Sequence, residues 1–575
     1  MHATSKTDAD NKASDAARLT RRDAPALAII VIAATLLMMP VFVKGFPAAF
    51  DSVRHYRWTS QFIDALGDGA FFPRWLPTAN NAQGSPAALY YPPLTFYVGA
   101  AFSLVTRDTL QGMAFSCWLA LLLSGVTMYL FSRAWLGRAT SLMAAAVYMI
   151  APYHLLDLYQ GATVSEFWSF VWLPLLFDGV RRVAASEDWP AIAQLACAYA
   201  LLVLTHVPVA FLATLAMPLY ALALTRDVRR LSRIAAGFAL GTGLSAIFLL
   251  PIVFERSYAK FYFKFDYRDY FLFSHLGEAW KRHWFAPDGS PHDYLLDNEI
   301  SSAPLLLLFL ISSLVIWRRG VSVNWARWIG SVWFITLVAY LLSTRLTAWL
   351  WRVLPGMAQV YYPYRWMALS AAGTSLLAAA AVATLAKDRW RWAWGGAIAA
   401  ALVCNVVVST LAITRASYDR EGLEAGLARR DTREYRPIWW DGDLRREVWQ
   451  DEPALVDSGD ADIRALDVAG IRQSYAITAN TESIIVFRPL YYPGWLARVD
   501  GARAEITPAG TGNLQLKLAP GEHYVALSFE DTWPRAVGKT LSAISLLILL
   551  GISLLSWRRK RSARPFDDQA PVTRS

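Results

Sequence analysis

Ala26-Leu-Ala-Ile-Ile-Val-Ile-Ala-Ala-Thr-Leu-Leu-Met-Met-Pro-Val-Phe-Val43 is an apolar run, and shortly behind it comes Asp51-Ser-Val-Arg-His-Tyr-Arg-Trp58. At about 1.5 Å of rise per residue, such a run crosses most of a hydrocarbon core roughly 30 Å thick. Arg21 and Arg22 precede it as topology charges, and no small-residue cleavage site follows, so the run reads as a span that is kept. The first helix therefore delivers Asp51 to a membrane surface. Most of the remaining chain is further apolar runs, and polar residues gather again on the same side. Such an arrangement suits chemistry at the lipid–water boundary.

Composition agrees with this reading. Hydrophobic residues make up 55% of the 575 and charged residues 17%, too little charge for a soluble chain of this size. The three cysteines, Cys117, Cys197 and Cys404, all fall in apolar runs and have no zinc or disulfide spacing. The N-terminal tail, residues 1–24, is polar and reads as disordered.

The formal charge of +10 is unevenly spread. Basic clusters stand at Arg18/Arg21/Arg22, Arg133/Arg138, Arg181/Arg182, Arg226/Arg229/Arg230/Arg233, Arg318/Arg319/Arg327, Lys387/Arg389/Arg391 and Arg558/Arg559/Lys560/Arg561. Basic loops stay in the cytoplasm, so an even number of spans must separate neighbouring clusters. Twelve spans satisfy this, near 26–43, 111–132, 139–153, 166–182, 190–206, 208–225, 234–254, 302–317, 328–343, 366–386, 392–412 and 539–557, with both termini inside. The run from Tyr90 to Val105 is left over and reads as a juxtamembrane or re-entrant segment on the outer face.

The chain then divides into a membrane domain over 25–413 with an outer loop at 44–110, an outer domain over 414–536, a last helix at 537–557 and a basic tail at 558–575. Residues 154–165, 255–301 and 344–365 are read as further outer loops. The outer domain alternates as strands do: Tyr475–Ala479, Ser483–Arg488, Trp495–Val499, Leu514–Leu518 and Tyr524–Phe529, with turns at Tyr492-Pro-Gly494, Asp500-Gly501 and Pro520-Gly521. The expected fold is an all-α polytopic membrane protein of about twelve transmembrane helices with a small outer β-sandwich.

Asp51 to Leu66 reads as a short helix whose Trp58, Phe62 and Leu66 form an apolar stripe suited to the membrane interface. Asp51 and His55 are four apart and share a face, so they can share a proton or bind a divalent cation. An N-cap Asp on a surface helix is the plainer alternative. Other ionisable residues sit at span mouths on the same predicted side: Glu166, His206, Glu255 and Arg365. Such groups are costly at membrane depth, although each alone also suits a snorkelling or interhelical contact. Lys260, Lys264 and Arg268, interleaved with aromatics, suit either a lipid phosphate or an interfacial anchor. The motif Tyr-Tyr-Pro occurs at Tyr90, Tyr361 and Tyr491, each time outside, and suits an aromatic belt or a sugar site. There is no Gly-Lys-Ser/Thr phosphate loop, no Gly-rich dinucleotide turn and no His-Glu-x-x-His helix. The positive charge is explained by topology, so no nucleic-acid partner is expected.

Taken together, the chain resembles the GT-C glycosyltransferases. It is more closely similar to bacterial membrane proteins called 6-pyruvoyl-tetrahydropterin synthase-related, and to YfhO-type membrane proteins. The stretches that carry the resemblance are Phe72-Pro-Arg-Trp-Leu-Pro77, Tyr90-Tyr-Pro-Pro-Leu94, Ala151-Pro-Tyr-His154 with Glu166, Leu204-Thr-His-Val-Pro208, Tyr362-Pro-Tyr-Arg365, Tyr491-Tyr-Pro-Gly-Trp495 and Pro520-Gly-Glu-His523. The zinc-binding histidines of the pterin enzyme have no counterpart here.

The resemblance implies a GT-C-like fold in a bacterial inner (cytoplasmic) membrane. It also implies transfer of a sugar from a polyprenyl-phosphate donor to a cell-envelope glycan, lipid or protein acceptor on the outer face, among membrane lipids. Asp51 would be the base, with His55 and Glu166 orienting it or the sugar. Arg365, Arg74, Lys260 and Lys264 would hold the donor phosphate, and His206, Glu255, Tyr361 and Tyr91 would line the substrate site. A divalent cation, Mg or Mn, would fall to Asp51 and His55, but the first-loop acid is single where GT-C enzymes often have a pair. A lipid or polysaccharide transporter, and a membrane scaffold with an outer binding domain, are the alternatives.

Overall fold

The computed structural model describes residues 19–186, 189–261, 267–274, 291–320, 323–385, 390–428, 434–442, 449, 452–468 and 470–562. The first span is α1 (Ala24–Lys44), followed by α2 (Ser52–Gly67). Next come α3 (Leu94–Thr106), α4 (Thr109–Arg133), α5 (Arg138–Met149), α6 (Pro152–Tyr159) and α7 (Val164–Ala185). The membrane part continues with α8 (Trp189–Val203), α9 (Val207–Leu224), α10 (Val228–Leu244), α11 (Ala246–Glu255), α12 (Pro291–Arg319), α13 (Val323–Leu342), α14 (Met367–Leu385) and α15 (Arg391–Thr414). A short α16 (Arg420–Ala428) and the final α17 (Trp533–Ser562) flank the strands.

Among the described residues nine helices are long and apolar enough to cross a membrane, and α10 with α11 makes a tenth if that pair, bent by 75°, is one span. The other two predicted spans are also helical. One, α7, has the length but carries Glu166, Asp178, Arg181 and Arg182; the other, α8, has 15 residues. The leftover run is α3, 13 residues or about 20 Å, shorter than the hydrocarbon core. It folds back along α4, where Gly112 permits the approach: a Cβ there would lie 2.1 Å from Ser103 Oγ.

Lipid explains the surface of these helices. Leu36 (63% exposed) and Leu547 (67%) face outward with no aqueous rationale. The lone hydroxyl of α1, on Thr35, donates to the Val31 carbonyl at 2.9 Å, so it is not left unpaired in hydrocarbon. At the break before α11, the Ile247 N–H donates to Ser542 Oγ (2.9 Å), whose hydroxyl donates to the Gly243 carbonyl (3.1 Å). The last helix thus satisfies the backbone that the bend frees.

At one end of the bundle, Asp23 before α1 accepts from Tyr129 (2.7 Å) and pairs with Arg133 (3.3 Å) and Arg138 (3.0 Å). The start of the first span, the end of α4 and the start of α5 therefore share a side. Asp51, which follows the other end of α1, lies at the opposite end, and the strands meet α2 there through Tyr435 and Trp58.

The strands are β1 (Ala259–Lys260), β2 (Arg436–Pro437), β3 (Ala454–Ser458), β4 (Ala461–Asp467), β5 (Arg472–Ala479), β6 (Ser483–Leu490), β7 (Trp495–Val499), β8 (Ala502–Ala504), β9 (Thr507–Pro508), β10 (Asn513–Leu518) and β11 (Gly521–Phe529). They form two antiparallel sheets, β3-β6-β10-β9 and β4-β5-β11-β7-β8, plus the small pair β1-β2. Alternate residues of both sheets, among them Tyr475, Ile477, Ile485, Phe487, Leu514, Leu516, Val525 and Leu527, close one core. All five strands read from the alternation are present. The polar strands β3 and β4, which lie at sheet edges, add to them.

Two local expectations change. The loop expected over 154–165 is largely helix α6, started by Pro152 in its first turn and held by His154 stacked on Phe170 at 3.9 Å. The stripe on α2 does not lie in lipid: Trp58 and Phe62 are buried, with Phe62 against Phe96 (5.5 Å) and Tyr97 (5.0 Å) of α3. Helix α3 lies where the membrane interface was expected.

Candidate active site at one end of the bundle

Asp51 stands at the N-cap of α2, and its backbone N–H donates to the Gly161 carbonyl in the turn between α6 and α7 (2.9 Å). That bond fixes α2 over the N-terminal end of α7. One turn on, the buried His55 directs Nε2 toward the Tyr91 hydroxyl at 3.4 Å. Arg54 places Nη1 2.5 Å from Asp51 Oδ1, while its Nε and Nη2 lie 3.1 and 3.0 Å from Oε1 of Glu434. Among the described residues Asp51 Oδ2 has no hydrogen-bond partner.

Glu166 sits in the first turn of α7 and is buried. Its Oε1 accepts from the Tyr153 hydroxyl at 2.5 Å, and its Oε2 accepts from Arg365 Nε at 2.9 Å. His206, at the tight turn between α8 and α9, brings Nε2 to 3.8 Å from the same Oε2, beyond hydrogen-bond reach. Arg365 comes from the single turn Pro363–Trp366 that opens α14. Its Nη1 donates to the Val360 carbonyl (2.7 Å), and the guanidinium lies over the Tyr362 ring at 4.8 Å. The sharp corner before it is made by Tyr361, held at φ +63° in the left-handed region.

Electrostatics join the two halves. Burial pushes the Asp51 carboxyl above its usual value, against the pull of the nearby Arg54 and Arg365 guanidiniums. Burial, with Arg54 adding to it, drives His55 down to about 3, so its ring is neutral at ordinary pH. Burial and then the Asp51 charge push the Tyr91 phenol up, which keeps it a protonated donor. The cluster is thus one carboxylate with an open oxygen, a neutral imidazole, a phenol and two guanidiniums.

Among the described residues the donor set for a divalent cation does not assemble there. Among the described residues no three His, Cys, Asp or Glu side chains gather as metal ligands, and the groups facing Asp51 are two cations.

Asp51, His55, Tyr91, Glu166, His206 and Arg365 therefore come together from segments far apart in sequence, with Tyr361 at the corner beside them. Three other expected residues are placed elsewhere, each with its charge or lone pairs taken. Arg74 pairs with Asp531 at 2.8 Å. The Glu255 carboxylate accepts from Arg535 Nη2 at 2.7 Å and from the Thr532 hydroxyl. Lys260, on β1, directs Nζ to the Trp440 carbonyl at 3.5 Å. Lys264 lies outside the described residues.

Sequence reading passed over Arg54, Tyr153, Tyr362 and Glu434. Arg54 stood in plain view three residues from Asp51, the spacing that pairs charges on a helix. Glu434 carried no local signal.

The family described as "6-pyruvoyl-tetrahydropterin synthase related domain; membrane protein" matches residues 88–417, more than half of the chain. An uncharacterized protein of Lactococcus lactis subsp. cremoris (strain MG1363) is 27% identical over 238 residues, 39% of each chain. Among solved structures, the Archaeoglobus fulgidus oligosaccharyltransferase, crystallised with Zn and sulfate, is similar at TM-score 0.46 and 16% identity, covering 69% of this chain and 54% of that one. The arabinofuranosyltransferase AftD from Mycobacteria is similar at TM-score 0.41 and 16% identity, covering 70% and 27%. This chain thus spans about two fifths of its curated relative and about half of the oligosaccharyltransferase. By the match over 88–417, the chain belongs to the 6-pyruvoyl-tetrahydropterin synthase-related family of membrane proteins.

Proposed function

We propose that this protein is a GT-C-type membrane glycosyltransferase that moves a sugar from a polyprenyl-phosphate donor to a cell-envelope acceptor on the outer face of a bacterial inner membrane. The observation that carries this reading is the meeting of Asp51, with one oxygen open, and the two guanidiniums of Arg54 and Arg365 at the end of the bundle remote from Asp23. In this reading Asp51 Oδ2 takes the proton of the acceptor hydroxyl. The freed oxygen forms a bond to the anomeric carbon, and the bond from that carbon to the lipid phosphate breaks. The leaving phosphate carries away the electron pair, and Arg365 offsets its charge. Glu166 fixes the guanidinium through Nε, and the Val360 carbonyl fixes it through Nη1, leaving Nη2 for a phosphate oxygen.

A transporter reading would be favoured by interrupted helices in both halves of the bundle, with their ends turned to a central site. Among the described residues one pair, α10 and α11, is bent in this way, and its break is closed by Ser542 of α17.

Two tests belong here. Arg365→Lys keeps the charge but not the fork that bonds Glu166 and Val360 together. Transfer should fall by about 10- to 100-fold, the range of a lost charge-assisted hydrogen bond. An Arg365→Lys enzyme with parent turnover and parent donor affinity would remove Arg365 from the site. The proposed orientation puts both termini in the cytoplasm and the strands outside. In a background without Cys117, Cys197 and Cys404, a cysteine at the exposed Ser458 should react with a membrane-impermeant maleimide on intact spheroplasts, and one at Ser562 should not. The reverse pattern inverts the topology and defeats an outer-face enzyme.

A further inference from the structure

Arg54 divides its guanidinium between two carboxylates. Nη1 alone meets Asp51 Oδ1, at 2.5 Å, while Nε and Nη2 together hold Oε1 of Glu434. Glu434 lies far along the chain, immediately before β2, and the segment that carries it is fixed. Its neighbour Tyr435 is buried at φ +56°, stacked on Tyr90 (5.4 Å, 17°) and against Phe261 (5.3 Å) and Trp58 (6.0 Å). β2 is paired with β1.

An arginine beside a single carboxylate tends to close a two-pronged pair that engages both oxygens. A carboxylate gripped in that way has no oxygen free to receive a proton from a substrate. At this site Glu434 holds the Nε–Nη2 edge and so sets the tilt of the guanidinium, in which Nη1 alone reaches Asp51 Oδ1 and Oδ2 stays open.

We propose that Glu434 is a positioning residue for the transfer reaction: by occupying the Nε–Nη2 edge of Arg54 it keeps that arginine single-pronged on Asp51 and leaves Oδ2 for the acceptor hydroxyl. This role rests on Asp51 acting as the base. It makes the segment before the outer sheets part of the reacting centre, acting through Arg54.

The test uses the purified full-length protein. Glu434→Met keeps the side-chain length and removes the acceptor. Arg54 then closes on both oxygens of Asp51, and kcat should fall on the order of 10-fold or more, with donor KM within about twofold. Arg54→Lys in the Glu434→Met background supplies the deciding readout. An ammonium is a point donor and cannot make the two-pronged grip, so the double variant should be several-fold faster than Glu434→Met alone. A Glu434 that merely anchors its segment gives no such rescue, because the second change removes a further contact. Glu434→Met at the parent kcat, or a double variant no faster than the single one, overturns the proposal. Asp51→Asn separates the two levels. If that variant is inactive while Glu434→Met is normal, only the role of Glu434 falls; if it is fully active, the base assignment falls first.

Discussion

If Asp51 is the base of the proposed transfer, Asp51→Asn should lower sugar transfer by about 10²–10⁴-fold and leave donor binding near the parent value, because the change would remove general-base help and little else. The amide keeps the shape of the carboxylate and can still meet Arg54 and stay at the N-cap of α2. Folding should therefore be preserved, and equal melting temperatures check it. The pH dependence has a defined sign. Burial raises the Asp51 carboxyl above its usual value despite Arg54 and Arg365. A base must be ionised to act, so activity is lost as pH falls through that raised value. The acid limb of kcat/KM should lie above the ordinary carboxylate pKa of about 3.9, and Asp51→Asn should abolish it. A chelator added to the parent enzyme separates this role from metal binding. With Asp51 as base the rate is unchanged, whereas a rate that falls with chelator and returns with Mg or Mn assigns Asp51 to a metal. Purified Asp51→Asn working at the parent rate would sink both roles and favour a transporter or scaffold.

The place of Asp51 was legible because it depends on local facts, an apolar span and the polar residues that follow it. The same holds for Glu166, His206 and Arg365, which sit at the mouths of α7, α9 and α14. Charge counting between basic clusters left over the run from Tyr90 to Val105, most of which forms α3, a helix of 13 residues, too short to cross the hydrocarbon core. What the sequence left obscure is pairing across distance. Arg74 and Glu255 look as functional as Arg365 when read locally, since all are ionisable residues near the membrane surface. They differ in having close partners in the segment 531–535, which no periodicity announces. Glu434 is the converse case, an ordinary acid in a polar stretch that acquires meaning from Arg54. The stripe Trp58, Phe62 and Leu66 had the right period, but period alone does not distinguish lipid from protein as the covering phase.

Arg535→Met should destabilise the protein by about 3–5 kcal/mol, because it strands a buried carboxylate. Arg535 is fully buried and the Glu255 side chain is 2% exposed. Arg535 donates to both Glu255 Oε2 (2.7 Å) and the Pro493 carbonyl (2.8 Å), and so ties the end of α11 to the turn before β7. The Glu255 backbone is engaged as well: its carbonyl accepts from the Tyr90 hydroxyl at 2.7 Å, and that hydroxyl lies 2.5 Å from the Tyr492 hydroxyl. Tyr90 precedes Tyr91, which faces His55. Loosening this joint therefore reaches the reacting centre through two adjacent tyrosines, and transfer should fall together with the melting temperature in detergent. The pairing of effects is diagnostic. Burying an ion pair is costly in itself, so replacing both members with apolar residues of similar size can be nearly neutral. Glu255→Leu with Arg535→Met should recover most of the melting temperature that Arg535→Met loses. It should also recover activity, since neither charge takes part in the proposed transfer. A double variant that regains stability but stays inactive would return Glu255 to the substrate site, and an Arg535→Met protein with the parent melting temperature would show that the pair does not hold the sheets to the bundle.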